Sequence, residues 1–157
     1  MLRAGTANDA DRLLAWRNDP TARAMSGDTR LIDRETHVAW LTRKLADPDS
    51  HLFIAEAAGD AVGYIRFDRQ ASGAWEVSIA VPPAHRGRGL AGPMLTQGCA
   101  LIQTAQPQSP ISARVRPENT ASHQLFLACG FIETGRDSLM VHYTLPPETG
   151  RHPRIER

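Results

Sequence analysis

Cysteine is scarce: Cys99 and Cys129 are the only two in 157 residues. They form no CxxC, and no histidine is placed to complete a zinc site, so disulfide and metal frameworks are both set aside. Each cysteine is expected to be small core filler. An excess of charge of one sign is also lacking, because 18 Lys and Arg face 17 Asp and Glu for a formal net charge of +1. A polyphosphate backbone needs a basic footprint that this chain does not have, so nucleic acid is not an expected partner. Long apolar runs are missing too. The opening stretch "MLRAGTANDADRLLAW" has no signal-peptide core and no window reaches bilayer-spanning length, so a cytoplasmic protein without membrane association is expected.

The length fits one domain able to bury a real core. Residues 1–145 read as that domain, and residues 146–157, polar and broken by proline, read as a loose tail. "MLRAGT" predicts a first strand and "ANDADRLLAWRNDP" a helix, with Asn8 or Asp9 as cap and Pro20 closing it. Asp33 opens a second helix stopped by Pro48, with Val38, Leu41 and Leu45 as its core stripe. "HLFIAEA", "AVGYIRFDRQ" and "AWEVSIAV" then read as three antiparallel strands separated by Gly59, Asp60, Ser72 and Gly73. Ala91, Met94, Leu95, Leu101, Ile102 and Ala105 recur at helical spacing. A strand "ISARVRP", a helix "ENTASHQLFLACG" and a terminal strand pair around Gly135 complete the order β-α-α-β-β-β-α-β-α-β-β. The class is α/β (α+β), a mixed, mostly antiparallel sheet with helices on both faces.

"HRGRGLAGPML" is an expensive way to begin a helix. A helix that starts directly after a strand gathers unpaired N–H groups and partial positive charge at one point, which suits an anion. Gly87 and Gly89 let those amides come close, and Arg86 and Arg88 add charge from the flanks. A surface turn with solvated arginines is the plain alternative. No GxxxxGK[ST] is present, and the preceding run reads as antiparallel strands rather than a βαβ unit, so nucleotide triphosphate and dinucleotide sites are disfavoured.

The pattern [RQ]-x-x-G-x-[GA] is filled by Arg86, Gly89 and Ala91, follows the strand "VSIAVPP", and is followed by "VRPENTASHQLFLACGF". Together these resemble the GNAT superfamily of acetyl-CoA-dependent N-acetyltransferases, over roughly residues 1–145. The resemblance implies acetyl-CoA as co-substrate, without a metal, and splayed fourth and fifth strands. It implies that Arg86, Gly87, Arg88, Gly89, Leu90 and Ala91 hold the coenzyme pyrophosphate. Ile79, Ala80 and Val81 then bond the pantetheine arm as another strand would, with an oxyanion amide near Ala80 or Val81. Asn119 matches a pantetheine contact or is an ordinary helix cap. Glu76, which shares a strand face with Ser78 and Ala80, is the candidate base, or else a carboxylate paired with an arginine such as Arg66. Phe126 stands where many members carry tyrosine, and a phenyl ring donates no proton. It serves packing, against the pantetheine end or the core. Ser122, Tyr143 or water are the replacements for the acid.

The acceptor groove of that family is built by the first two helices. Arg17 follows Leu13 by four positions and so falls on the apolar face, with a fixed partner or a substrate contact as its role. Asn18, His37 and Trp40 join it as candidate acceptor contacts, Trp40 as a stacking platform or a wedge between the helices. "WRND" with "THVAWL" resembles the branches that acetylate nucleotide-linked aminodeoxy sugars and ribosomal-protein N-termini. A small-molecule amine is the expected acceptor; for the sugar nucleotide, Trp40, Arg17, Arg23 and Arg30 supply the aromatic and cationic groups. A protein N-terminus and a non-catalytic acyl-CoA sensor are the alternatives. The resemblance leaves a homodimer open.

Overall fold

The computed structural model describes residues 1–26 and 28–150. Its strands β1 (Leu2–Ala4), β2 (Ser50–Ala57), β3 (Asp60–Arg69), β4 (Trp75–Ala80), β5 (Ile111–Val115), β6 (Ile132–Arg136) and β7 (Val141–Leu145) form one sheet in the order β1-β2-β3-β4-β5-β7-β6. Helices α1 (Ala10–Asn18), α2 (Pro20–Met25) and α3 (Arg34–Ala46) connect β1 to β2, α4 (Ala91–Ala105) connects β4 to β5, and α5 (Thr120–Ala128) connects β5 to β6. Every neighbouring pair is antiparallel except β4 with β5.

Two cores lie on opposite faces of the sheet. Ile65, Phe67, Trp75, Val77, Ile111, Ala113, Val141 and Tyr143 meet Leu95, Cys99 and Ile102 of α4 and Phe126 of α5 on one face. Leu52 and Ile54 meet Ala10, Leu13 and Leu41 of α1 and α3 on the other. Strand alternation creates this division, since neighbouring residues point to opposite faces. Among the described residues, α1 and α3 pack on the second face over β2, and over β4, β5 and β7 that face presents Glu76, Ser78, Ser112, Arg114, His142 and Thr144 as a groove floor.

Asp33 caps α3 as predicted, accepting from the Thr36 N–H at 2.8 Å. The first helix stops before Pro20 as predicted, but the proline also opens a second, short helix that was not predicted. α1 ends at Asn18 and Pro20 opens α2, where its missing N–H costs nothing and Asp19 accepts from the Ala22 N–H at 3.0 Å. Asp9 stands at the cap position of α1, but its carboxylate turns back to the Thr6 N–H at 2.8 Å and to both Nη groups of Arg3 at 2.8 and 2.9 Å. The α3 stripe is rotated from the prediction: His37 and Leu41 are buried and Leu45 is exposed. Leu101 of α4 is likewise exposed, while Gly98 is buried against β3. A Cβ on Gly98 would meet Ile65 at 2.9 Å, so its absence sets how closely α4 packs on the sheet.

Gly135 is not the turn between the last two strands. It lies inside β6 at a register shift, and the turn is formed by residues 137–140. The first residues after β7 are held against the domain: the Pro146 carbonyl accepts from Gln103 at 3.0 Å and the Thr149 N–H donates to the Pro107 carbonyl at 3.4 Å. Residues 151–157 of the predicted tail lie outside the described residues.

Candidate active site

The parallel pair β4–β5 determines the site. The strands are in register only at Trp75 with Ile111 and Glu76 with Ser112, whereas β4 stays paired with β3 as far as Ala80 with Tyr64. Beyond Glu76 the two strands part and leave facing edges without partners. The Trp75 N–H donates across to the Pro110 carbonyl at 3.0 Å, and the period of two therefore aims the main-chain groups of Val77, Ile79 and Val81 into the opening. Ala80, predicted as a coenzyme contact and as an oxyanion amide, has its main chain turned toward β3 instead. Its carbonyl lies 2.6 Å from where a Cβ on Gly63 would stand. Val81 lies past the end of β4, and its carbonyl already accepts from Arg86 Nε at 2.9 Å. Of the three predicted residues, Ile79 has both main-chain groups open to the cleft.

The glycine stretch lies at the mouth of this opening. Gly87 and Gly89 take φ of +76° and +71°, a region that favours glycine, and nothing stands within 4 Å of a Cβ at either. Among the described residues, no backbone N–H from Gly87 to Gly92 donates a hydrogen bond. Those amides and the start of the fifteen-residue α4 form a preorganised anion cradle, with Leu90 and Ala91 leading the chain into the helix. Arg88 Nη1 lies 2.9 Å from His85 Nδ1, which braces the loop. The sequence reading of an antiparallel run without a βαβ unit is corrected here, since β4, α4 and β5 form one. Gly87, Gly89 and Gly92 even satisfy the letters of G-x-G-x-x-G. The parting of the strands after two residue pairs distinguishes this cradle from a dinucleotide turn, because it leaves an edge for a ligand that hydrogen-bonds as a strand does.

Glu76 stands at the apex of the opening on the groove face. Its carboxylate accepts from Arg114 Nε at 2.5 Å, not from Arg66. Arg66 pairs with Asp68 at 2.7 Å and lies over the Trp40 ring at 4.9 Å. Asp68 also accepts from Lys44 and Ser50, at 2.8 and 2.9 Å. Burial alone would raise its pKa, but Arg66, Lys44 and Ser50 together hold the carboxylate below its ordinary value. The groove beside Glu76 has a volume of about 390 Å³ and includes Ser112, Arg114, His142 and Thr144.

On α5, Asn119 is the helix cap and accepts from the Ser122 N–H at 3.3 Å, which leaves its Nδ2 unbonded. The Ser122 hydroxyl makes no hydrogen bond among the described residues. Phe126 is 4% exposed and packs against Phe131 and Tyr143 at ring separations of 5.0 and 6.1 Å. It is a core residue, and the prediction of a coenzyme contact at Phe126 is corrected on that ground. Tyr143 is equally buried. His123 Nε2 faces the carbonyls of Arg116 and Pro117 at 3.0 and 3.1 Å. Two acceptors there require Nε2 to carry the proton, so Nδ1 accepts from the Tyr143 hydroxyl at 2.5 Å. Burial pushes the Tyr143 pKa up, and its proton is already committed to His123.

The residues predicted from the first helices mostly brace the loop before α3. Arg17 Nη2 donates to the Asp28 carbonyl at 2.7 Å, and Nη1 is buried without a partner among the described residues. The Asn18 amide bonds both the N–H and the carbonyl of Ile32, at 3.0 and 2.8 Å. Arg23 donates to the Asn18 carbonyl, and Arg30 pairs with Asp28 through two contacts, which holds that carboxyl well below its usual range. Arg116, at the end of β5, reaches the Ser26 carbonyl at 2.8 Å and ties the same loop to the far side of the opening. His37 is 4% exposed and lies beside Trp40 at 5.6 Å, so Trp40 has His37 and Arg66 as ring neighbours. Arg114, Arg116 and His123 were missed by the sequence reading. The alternation in "ISARV" signals that Ser112 and Arg114 share a face, but not which face of β4 they meet.

Known proteins are similar to this chain in sequence and in fold. The chain matches the family model described as Acetyltransferase (GNAT) domain over residues 1–132. It is 43% identical over 65 residues to an L-2,4-diaminobutyric acid acetyltransferase from Streptomyces anulatus, a match that spans 41% of this chain and only 36% of that protein. The fold is similar to that of spermidine N-acetyltransferase from Vibrio cholerae in complex with CoA and spermine (TM-score 0.80, 17% identity, 92% of each chain). It is also similar to that of ribosomal-protein-alanine N-acetyltransferase from Brucella melitensis (TM-score 0.77, 24% identity, 93% of this chain and 99% of that one). With a family model covering most of its length and the anion cradle and splayed strands in place, the chain belongs to the GNAT acetyltransferase family.

Proposed function

We propose that the chain transfers acetyl from acetyl-CoA to a primary amine of a small molecule that binds in the groove over Glu76. The observation that carries this reading is the continuity of three features: open amides from Gly87 to Gly92, an unpaired β4 edge, and a carboxylate at the apex. The coenzyme pyrophosphate accepts from the cradle amides, Ile79 pairs with the pantetheine arm, and the thioester reaches the apex beside Glu76.

Glu76 takes a proton from the acceptor ammonium, directly or through a water, and the neutral amine attacks the thioester carbon. A cleft-edge amide of β4 stabilises the oxyanion. Collapse forms the C–N bond and breaks C–S, and the thiolate leaves with the electron pair. A thiolate is a good leaving group, so Phe126 is compatible with turnover, and the departing sulfur takes its proton from solvent or from the unbonded Ser122 hydroxyl. Tyr143 is buried and donates to His123, which argues against its being the acid.

A nucleotide-linked acceptor needs cations for its own pyrophosphate. Arg17, Arg23 and Arg30 are engaged in bracing the loop, and this favours an acceptor of amino-acid or amino-sugar size. Release of CoA thiol from acetyl-CoA, followed over a panel of small amines, tests the proposal. Turnover of at least one amine is expected; coenzyme binding with no turnover of any amine would leave an acyl-CoA sensor in its place.

A further inference from the structure

We infer that Arg114 recognises the acceptor, by binding an oxyanion group on it, carboxylate or phosphate, and that this binding frees Glu76 to take the ammonium proton. The inference rests on the groove being the acceptor site.

The placement of the two side chains supports it. The register partner of Glu76 on β5 is Ser112. Arg114 lies two residues further along β5, past the last paired position, and its side chain reaches back across the opening to meet Glu76 through Nε alone. Its Nη1 and Nη2 make no hydrogen bond among the described residues. Its side chain is 55% exposed, whereas that of Glu76 is 21% exposed. A guanidinium that uses one N–H on a protein carboxylate and presents its Nη pair to an open groove has the two-pronged geometry that carboxylate and phosphate match.

Among the described residues, the carboxylates nearest this face, Asp68 and Asp137, are already held by other groups. Asp68 is held by Lys44, Arg66 and Ser50. Asp137 is held by His142 Nε2 at 2.8 Å and by the N–H groups of Leu139 and Met140. When Glu76 turns to the acceptor ammonium, Arg114 loses the one carboxylate it meets among the described residues, and an anion carried by the acceptor replaces it. An acceptor bearing both charges exchanges one ion pair for two, Glu76 with its ammonium and Arg114 with its oxyanion. A polycation offers nothing to Arg114 and is disfavoured beside it.

Two matched pairs of amines test this: L-2,4-diaminobutyrate against 1,3-diaminopropane, and glucosamine 6-phosphate against glucosamine, with wild type, Arg114→Gln and Arg114→Lys. Wild type is expected to prefer the acidic member of at least one pair by about tenfold or more in kcat/KM, chiefly through KM; which pair shows it separates carboxylate from phosphate. Arg114→Gln brings that ratio close to one and Arg114→Lys keeps part of it. Calorimetric titration of the same amines into CoA-saturated enzyme reads the preference without turnover, so a failure of the catalytic reading stays distinguishable from a failure of this one. Unchanged CoA affinity in the variants confirms that they fold. No preference in wild type, or a preference that survives Arg114→Gln, overturns the inference.

Discussion

Glu76 and Ser112 are the last residues at which β4 and β5 lie in register. On one side of that pair the sheet is continuous. On the other, β4 and β5 expose main-chain edges that a ligand can bond, and the glycine cradle opens at the mouth. The apex thus brings a donor path and a carboxylate to one point, and the uncovered face beside it admits an acceptor.

Gly89→Asp is expected to weaken CoA binding by more than tenfold, measured by calorimetry. Two effects add: a side chain at φ +71° is strained by about 1 kcal/mol, and a carboxylate in the cradle repels the pyrophosphate. Gly89→Ala isolates the strain, so the gap between the two variants reports the charge. Equal affinities for both variants would mean that no phosphate sits there.

Asn119 has two separable tasks. Its Oδ1 caps α5, and its Nδ2, without a hydrogen bond among the described residues, is the donor proposed for the pantetheine arm. Asn119→Asp keeps the cap and removes the donor, so stability is expected to stay within about 0.5 kcal/mol while CoA affinity falls. Asn119→Ala loses both, at about 1 kcal/mol of stability. Denaturant midpoints and CoA titrations on the two variants check this; an Asp variant with full CoA affinity would leave Asn119 as a cap alone.

Acid should destabilise the fold in two stages. Burial pushes His37 below its ordinary pKa of 6.5, so as pH falls below that value the unfolded chain binds the proton first and stability drops. Arg3, with the Thr6 N–H, holds Asp9 below its ordinary 3.8 despite burial. Its contribution is present above that value and is lost as pH falls through it toward the folded pKa. His37→Asn is expected to remove the first stage and Asp9→Asn to shrink the second, to which Asp68, also held below its ordinary value, contributes too; Asp9→Asn costs about 1–3 kcal/mol at neutral pH. Thermal melts from pH 7 to pH 3 read both stages.

Gly63 has no room for a side chain: a Cβ there would stand 2.6 Å from the Ala80 carbonyl and 3.0 Å from Met94 Cε. Gly63→Ala should displace the end of β4, at about 1–3 kcal/mol of stability, and weaken CoA binding because that end borders the cleft. A variant as stable as wild type with intact CoA affinity would show that β4 tolerates the shift.

Local signals were legible in the sequence and pairings between distant segments were not. Asp33 as the cap of α3, the glycine cradle and the helices on both faces follow from spacing within a few residues. Pro20 is read correctly as the stop of α1, but α2 is missed because the same proline, which disfavours the helix before it, favours the one it opens. The helical wheel places Arg17 on the apolar face and Trp40 beside the core stripe, yet it cannot name their neighbours, Asp28 and Arg66, which lie on segments whose approach no periodicity reveals. Arg114 meets Glu76 through a parallel register whose paired residues lie 36 positions apart, which only the folded sheet displays.

The most direct test of the central claim pairs turnover with coenzyme binding in Glu76→Gln. With acetyl-CoA and the best amine of the panel, kcat/KM is expected to fall by about 10²-fold or more, while calorimetric CoA affinity stays at the wild-type value. A Glu76→Gln enzyme that releases thiol at the wild-type rate would contradict the assignment of Glu76 as the base at the apex.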